Sequence, residues 1–355
     1  MKTQRFGRAL LVAGVLCMAT AMATAQQYNM VVLAPYGNLG NTGLNNNGDV
    51  VGYDSQINAA FLYSGGALTS LGLGHAAGMA INNLGQIVLY SSTGYRSYLV
   101  APPYVGRLLD LGTLGGRGGL NGGGYAYAAA MNDSGMIVGE SNVSSTVAHA
   151  FVYANGSMSD LGSLGSSSTA SAINSSGQIV GYSMNLNGYQ RAFQMVNGTM
   201  TDLDPANPAY DSYASGINDA GQFVVTTNKA WHQVQVSRNK LLWVAYRGST
   251  WYTLLYSGST VTNIGNLGST LGIFGGRIGS GGDIVGMTYV ASGAQHAFLY
   301  HAGYMVDLNN RVNNLAGFSL WQANNINDWG QIVCLARGPD GVYQIVLLVP
   351  EGIGV

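Results

Sequence analysis

The stretch INSSGQIVGYS at 173–183 has counterparts all along the chain, and this repetition limits the fold more than any other feature. The related phrases are LNNNGDVVGY (44–53), INNLGQIVLY (81–90), MNDSGMIVGE (131–140), INDAGQFVVT (217–226), IGSGGDIVGM (278–287) and INDWGQIVCL (326–335). Aligned on the glycine after the polar turn, the seven copies are anchored at Gly48, Gly85, Gly135, Gly177, Gly221, Gly282 and Gly330. Each reads as a β-hairpin. A short apolar strand ends at Ile, Leu or Met, polar residues such as Asn132, Asp133 and Ser134 make a type I turn, and the glycine closes it in the left-handed conformation. Asn and Asp suit the turn because their side chains bond nearby backbone amides.

Two further segments recur between the hairpins. One is an aromatic-centred strand, as in AAFLY (59–63), HAFVY (149–153), RAFQM (191–195) and HAFLY (296–300); the other is a strand around Asp-Leu-Gly, as in LDLGTLGG (109–116) and SDLGSLG (159–165). Four short strands in a unit of about 47 residues have the length and strand count of one propeller blade. The last unit stops after YQIVLLVPEG without a fourth strand, while YNMVVLAPYG (28–37) begins the repeat region as an orphan strand. The expectation is an all-β, seven-bladed β-propeller whose N-terminal strand completes the last blade. An open solenoid would instead leave unpaired strand edges. The strand before the polar turn is rich in Gly and Ala and is expected innermost, with the Asp-Leu-Gly strand outermost.

Composition agrees with this reading. The chain carries 53 Gly, 7 Pro and 8% charged residues against 47% hydrophobic, which suits a turn-rich β protein and not a disordered one. Residues 1–25 read as a signal peptide, with Lys2, Arg5 and Arg8, an apolar run over 9–22, and Ala23-Thr24-Ala25 before the cut. The mature chain, 26–355, is then one exported propeller domain without a membrane span, secreted to the periplasm or beyond, and expected to be a monomer. It has 11 basic against 15 acidic residues, a balance that argues against nucleic acid as a partner. Cys334 is alone once Cys17 leaves with the signal, so no intramolecular disulfide holds the domain.

These residues resemble the HAF-repeat family of bacterial extracellular proteins. His149-Ala150-Phe151 and His296-Ala297-Phe298 supply the name, and 110–116, 173–183 and 160–162 match the surrounding phrase. Ala59, Arg96, Arg191, Tyr252 and Tyr343 stand in the histidine's place elsewhere. The resemblance implies export and a repeat fold, and it brings no activity or catalytic residue with it.

The chemistry-bearing residues favour architecture over catalysis. The two HAF histidines lie in equivalent places of different blades, too far apart to share a metal, and are expected to bond a backbone group. Asp133, Asp219 and Asp328 would ring one rim. Each is expected to bond its own turn, since packed sheets stand about 10 Å apart and neighbouring turns would not reach one ion. Glu140 is the only Glu between the signal and Glu351, so a carboxylate pair for glycan cleavage is wanting. No cofactor, metal or catalytic residue is assigned.

One segment breaks the repeat. The interval from Gly221 to Gly282 is 61 residues, and the excess falls at about 226–251. It gathers Lys229, Trp231, His232, Arg238, Lys240, Trp243, Arg247 and Trp251, including both lysines of the mature chain and three of its tryptophans. Tryptophan faces stack on sugars and cations suit acidic groups, which makes this the candidate ligand site. The plainer alternative is an edge hairpin whose lysines discourage aggregation. Three functions stay open at this point: a non-catalytic module binding polysaccharide or an extracellular protein, a polysaccharide hydrolase or lyase with acids on the rim, and a structural envelope protein.

Overall fold

A computed structural model describes residues 26–35, 42–104, 108–116, 123–206, 209–237 and 240–352, and of 230–249 the backbone only. The signal-peptide segment lies outside the described residues. Seven four-stranded antiparallel sheets follow one another as blades. Blades 1 to 6 span 43–74, 76–110, 126–160, 168–202, 212–263 and 268–307, and blade 7 combines 319–350 with Tyr28–Pro35. Among the described residues no helix is long and apolar enough to cross a membrane.

Strand order within a blade follows the chain from the axis outward. In blade 3, Ala126–Met131 is innermost and Ser157–Asp160 outermost. The strand Tyr28–Pro35 takes the outermost place of blade 7, pairing Tyr28 with Pro350 and Pro35 with Gln344. Its other edge is blunted, because the Met30 amide donates to Asn314 Oδ1 at 2.8 Å and Asn314 Nδ2 donates back to the Met30 carbonyl at 3.1 Å.

The phenylalanine of the third strand packs against the preceding blade. Phe151 joins Ala77, Met79 and Val88 of blade 2; Phe193 joins Val138 and Ala150 of blade 3; Phe61 reaches Val333, Ile345 and Leu347 of blade 7. All three rings are fully buried, which stabilises each blade-to-blade contact by about 2–3 kcal/mol per ring. The Gly of the Ile-Val-Gly phrase is a packing requirement. A Cβ on Gly139 or Gly181 would lie 2.0 Å from the carbonyl oxygen of Tyr127 or Thr169 on the inner strand.

The repeated turn owes its sequence to its asparagine. Asn174 Oδ1 accepts from the Gln178 amide at 2.9 Å, closing its own turn, and Gly177 takes φ +78° to complete it. Asn174 Nδ2 leaves the blade and donates to the Asn218 carbonyl of blade 5 at 3.1 Å, steadied by Gln178 Oε1 at 2.8 Å. The same inter-blade bond runs from Asn45 to Asn82, Asn82 to Asn132, Asn132 to Asn174, Asn218 to Gly279, and Asn327 to Asn45, at 3.0–3.3 Å. The last of these joins residues 282 apart in sequence and closes the ring.

The acidic residues beside these asparagines correct the expectation made from sequence. Asp133 accepts from the Asn83 amide at 2.9 Å, Asp219 from the Ser175 amide at 2.8 Å, and Asp328 from the Ser280 amide at 3.3 Å, each on the preceding blade. Sheet spacing overstates the gap here, because the inner turns converge on the axis. The carboxylates do form a rim, but they join blades and do not bond their own turns.

Asn174→Ala removes both the turn closure and the tie to blade 5 and leaves the buried Asn218 carbonyl without that donor. We expect a loss of about 1–3 kcal/mol in urea unfolding. Ser175→Ala, beside it and exposed, should change little, and equal effects of the two would contradict the clamp.

Candidate functional site

The HAF histidines are structural partners of the Asp-Leu-Gly aspartates. His149 Nδ1 lies 3.0 Å from Asp160, and His296 Nδ1 lies 2.7 Å from Asp307. The outer-strand Asp faces the Phe of the third strand, as Asp160 faces Phe151, so a residue two places before the Phe reaches it diagonally. Where arginine replaces the histidine the pair persists, as Arg96–Asp110 at 2.8 Å and Arg191–Asp202 at 3.2 Å. Where the outer strand carries Ser70 or Asn263, the third strand carries Ala59 or Tyr252. The partner is a carboxylate and not the backbone group expected from sequence. Each Asp also caps the turn that follows, for example by accepting from the Gly162 amide at 2.7 Å.

Glu140 is similarly engaged. It accepts from the Tyr125 hydroxyl at 2.7 Å and from the Thr169 hydroxyl of blade 4. Burial first, and then the adjacent Glu140, hold Tyr125 well above the usual phenol range.

The inserted segment is a two-stranded ribbon. In blade 5 the middle strands Phe223–Ser237 and Lys240–Ser257 far outrun their neighbours. The inner strand pairs only as far as Thr227 and the outer strand begins opposite Leu254, so the register from Lys229 opposite Arg247 to Ser237 opposite Lys240 is a hairpin paired with itself. Nine residues at about 3.3 Å each give it a length of about 30 Å. Trp231 stands opposite Ala245, His232 opposite Val244 and Trp243 opposite Gln233. Lys229, Trp231, Trp243 and Arg247 therefore hold register positions on one face of the ribbon, with His232 on the other. Arg238 lies outside the described residues.

The root of the ribbon is a dense polar network. Lys229 pairs with Asp204, which also accepts from the Tyr210 hydroxyl at 2.6 Å. Arg191, with no exposed side-chain surface, lies 4.1 Å over the Tyr210 ring and donates to Asp202, the Asp204 carbonyl and the Tyr210 carbonyl. Burial works against the Arg191 charge, but its hydrogen bonds to Asp202 and Tyr210 outweigh this and raise its pKa. On the inner side Trp251 is held between Tyr213 and Phe274, at 5.9 and 5.8 Å between ring centres. Lys229 and Trp251 thus anchor the ribbon, while Trp231, His232, Lys240, Trp243 and Arg247 belong to its self-paired part.

The axis holds a residue that the sequence reading passed over. At the level just before the turns, the inner strands place Gly43, Ala80, Ala130, Ala172, Gly216 and Asn325 around a central cavity, and the seventh position is Arg277. Inner-strand bulges skip Ser171 and Ser215 in the ladder. Their carbonyls accept from Arg277 Nη1, each at 2.9 Å. Burial pushes the Arg277 pKa down, though guanidinium keeps its charge at any physiological pH. The signal was present in the aligned phrases: RIGSGG (277–282) alone puts a long cation where the others have small residues or Asn.

No protein-family model and no curated protein sequence matches this chain. Solved structures do. A mutant puromycin hydrolase superposes with a TM-score of 0.55 at 14% identity, over 88% of this chain and 52% of that one. A streptogramin B lyase gives 0.54 at 12% identity, over 92% of this chain and 98% of that one. A catalytically inactive virginiamycin B lyase from Staphylococcus aureus gives 0.52 at 12%, over 91% and 99%. The chain spans about half the length of the puromycin hydrolase. At such identities the likeness is one of fold alone.

Arg191→Ala would leave Asp202 without its cation and strip the ribbon's root of its main donor group. A loss of about 3–5 kcal/mol is expected, read as a lower urea midpoint. A variant as stable as the parent would show that the network is not structural.

Proposed function

We propose that this protein is an exported, non-catalytic binding propeller of the HAF-repeat kind, which takes a polysaccharide or an extracellular protein on the face that carries the blade 5 ribbon. The observation that carries this reading is the ribbon itself. It departs from an otherwise regular array, it pairs only with itself beyond Thr227 and Leu254, and it rises from a root with fully buried Arg191 and aromatic packing around Trp251. A rigid scaffold that projects one long element is a common arrangement for recognition. Its composition, with Trp231 and Trp243 among Lys240 and Arg247, suits sugar faces and acidic groups.

The carboxylates support a non-catalytic reading. Asp133, Asp219 and Asp328 bond neighbouring turns, Asp160 and Asp307 pair with histidines, and Glu140 is held by Tyr125 and Thr169. A glycosidase or lyase needs acids that converge on one cleft.

The test replaces residues 230–246 by a two-residue Asn-Gly turn, which keeps Lys229 and Trp251 in the root. Parent and variant, both 26–355, are incubated with insoluble and immobilised polysaccharides. Trp231→Ala and Trp243→Ala are run beside them, with circular dichroism to confirm the fold. Binding by the parent that falls at least tenfold in all three variants is expected. Binding that survives removal of the ribbon would overturn the assignment.

A further inference from the structure

We propose that the channel beside Arg277 is a binding site for one small hydroxylated carboxylate, of the uronic-acid or aldonic-acid class, entered from the ribbon-bearing face. The site does not depend on what the ribbon binds.

The cavity on this side of Arg277 has a volume of about 290 Å³ and draws its walls from six of the seven blades, which can meet only at the axis. Its walls include Tyr127, Thr169, Tyr182, Tyr213 and Asn324, and exposed Gln322 marks its mouth. Tyr213 is also the residue that Trp251 packs on, so the mouth opens beside the ribbon's root. Inner strands run from this face toward the Asn turns, which puts the bulged Ser171 and Ser215 and the Arg277 guanidinium at the floor.

The charge at that floor is uncompensated. Both hydrogens of Arg277 Nη1 are used by the Ser171 and Ser215 carbonyls, and Arg277 makes no ion pair among the described residues. The edge formed by Nε and Nη2 has no protein acceptor among them. A guanidinium edge matches a carboxylate with two parallel bonds. One carboxylate neutralises one arginine, whereas a phosphate dianion would leave a net charge within the channel.

Three oxygens of the lining call for hydroxyl donors. Asn324 Oδ1 is buried in this wall without a hydrogen-bond donor. The Thr169 hydroxyl gives its hydrogen to Glu140, and the Ser215 hydroxyl gives its own to the Gly275 carbonyl. These oxygens keep lone pairs and offer no hydrogen. A ligand that brings several O–H groups and one carboxylate satisfies both ends of the cavity.

The opposite mouth repels such a ligand. It is rimmed by Asp133, Asp219 and Asp328, and Arg277 stands between it and the cavity. Entry is therefore one-sided.

The test is calorimetric titration of the chain 26–355 with sodium D-glucuronate. D-glucose, sodium acetate and inorganic phosphate are titrated in parallel, since they share the hydroxyls, the carboxylate and the charge respectively. Glucuronate is expected to bind at least tenfold more tightly than each of the three. Arg277→Gln should lower glucuronate affinity at least tenfold. Because Arg277 also ties blades together, Asn324→Ala serves as a second variant; it should weaken glucuronate severalfold and leave acetate unchanged. The proposal is overturned if the parent binds glucuronate no better than glucose, if phosphate binds as tightly as glucuronate, or if a folded Arg277→Gln binds as the parent does.

Discussion

An asparagine at the inner end of six of the seven hairpins does two things at once, and the ring depends on both. Its carbonyl oxygen closes the turn of its own blade, and its amide nitrogen bonds the backbone of the next. An isolated four-stranded sheet with two apolar faces cannot remain in water, so a blade is stable only when flanked. Buried Phe and aliphatic side chains supply the non-directional part of that attraction. The asparagine supplies direction: it fixes how far each blade is rotated from its neighbour, and the last such bond, Asn327 to Asn45, joins the two ends of the repeat array.

Blade 6 shows what happens where this device is missing. Gly279 stands in the asparagine's place, and no side chain from it can reach blade 7. The gap to blade 7 keeps the carboxylate bond found at other gaps, Asp328 accepting from the Ser280 amide, and Arg277, two residues before the glycine, reaches the carbonyls of blades 4 and 5. A cation there restores cohesion to the ring and also leaves half of a guanidinium facing an open cavity. The architecture and the anion-binding chemistry share one side chain.

Much of this was readable from the sequence, for identifiable reasons. The period, strand count and ring closure follow from aligned glycines and an orphan strand, because each blade repeats the same local demands on backbone and side chain. The pairing of His149 with Asp160 was not readable, because it depends on which residues of adjacent strands stand diagonally. Once the register is known the chain's own variation explains it: Arg96 and Arg191 replace histidine opposite aspartate, and Ala59 occurs opposite a strand with Ser70. The insertion was visible as excess length, but composition could not separate Lys229 and Trp251, which hold the root, from Trp231 and Trp243 in the self-paired part. Arg277 is hard to read from the sequence because an aligned repeat shows what recurs, and its meaning lies in being the exception.

Native-state hydrogen exchange on the chain 26–355 tests this account most directly. The amides of Met136, Gln178, Gln222 and Gln331 donate to the turn asparagines. If those asparagines bind the ring into one cooperative unit, the four amides exchange as slowly as core strands such as Ile179–Met184, while ribbon amides between Lys229 and Arg247 exchange earlier by local opening. Turn amides that exchange as fast as the ribbon, or blade by blade at different rates, would contradict the claim that the asparagine clamp holds the propeller together.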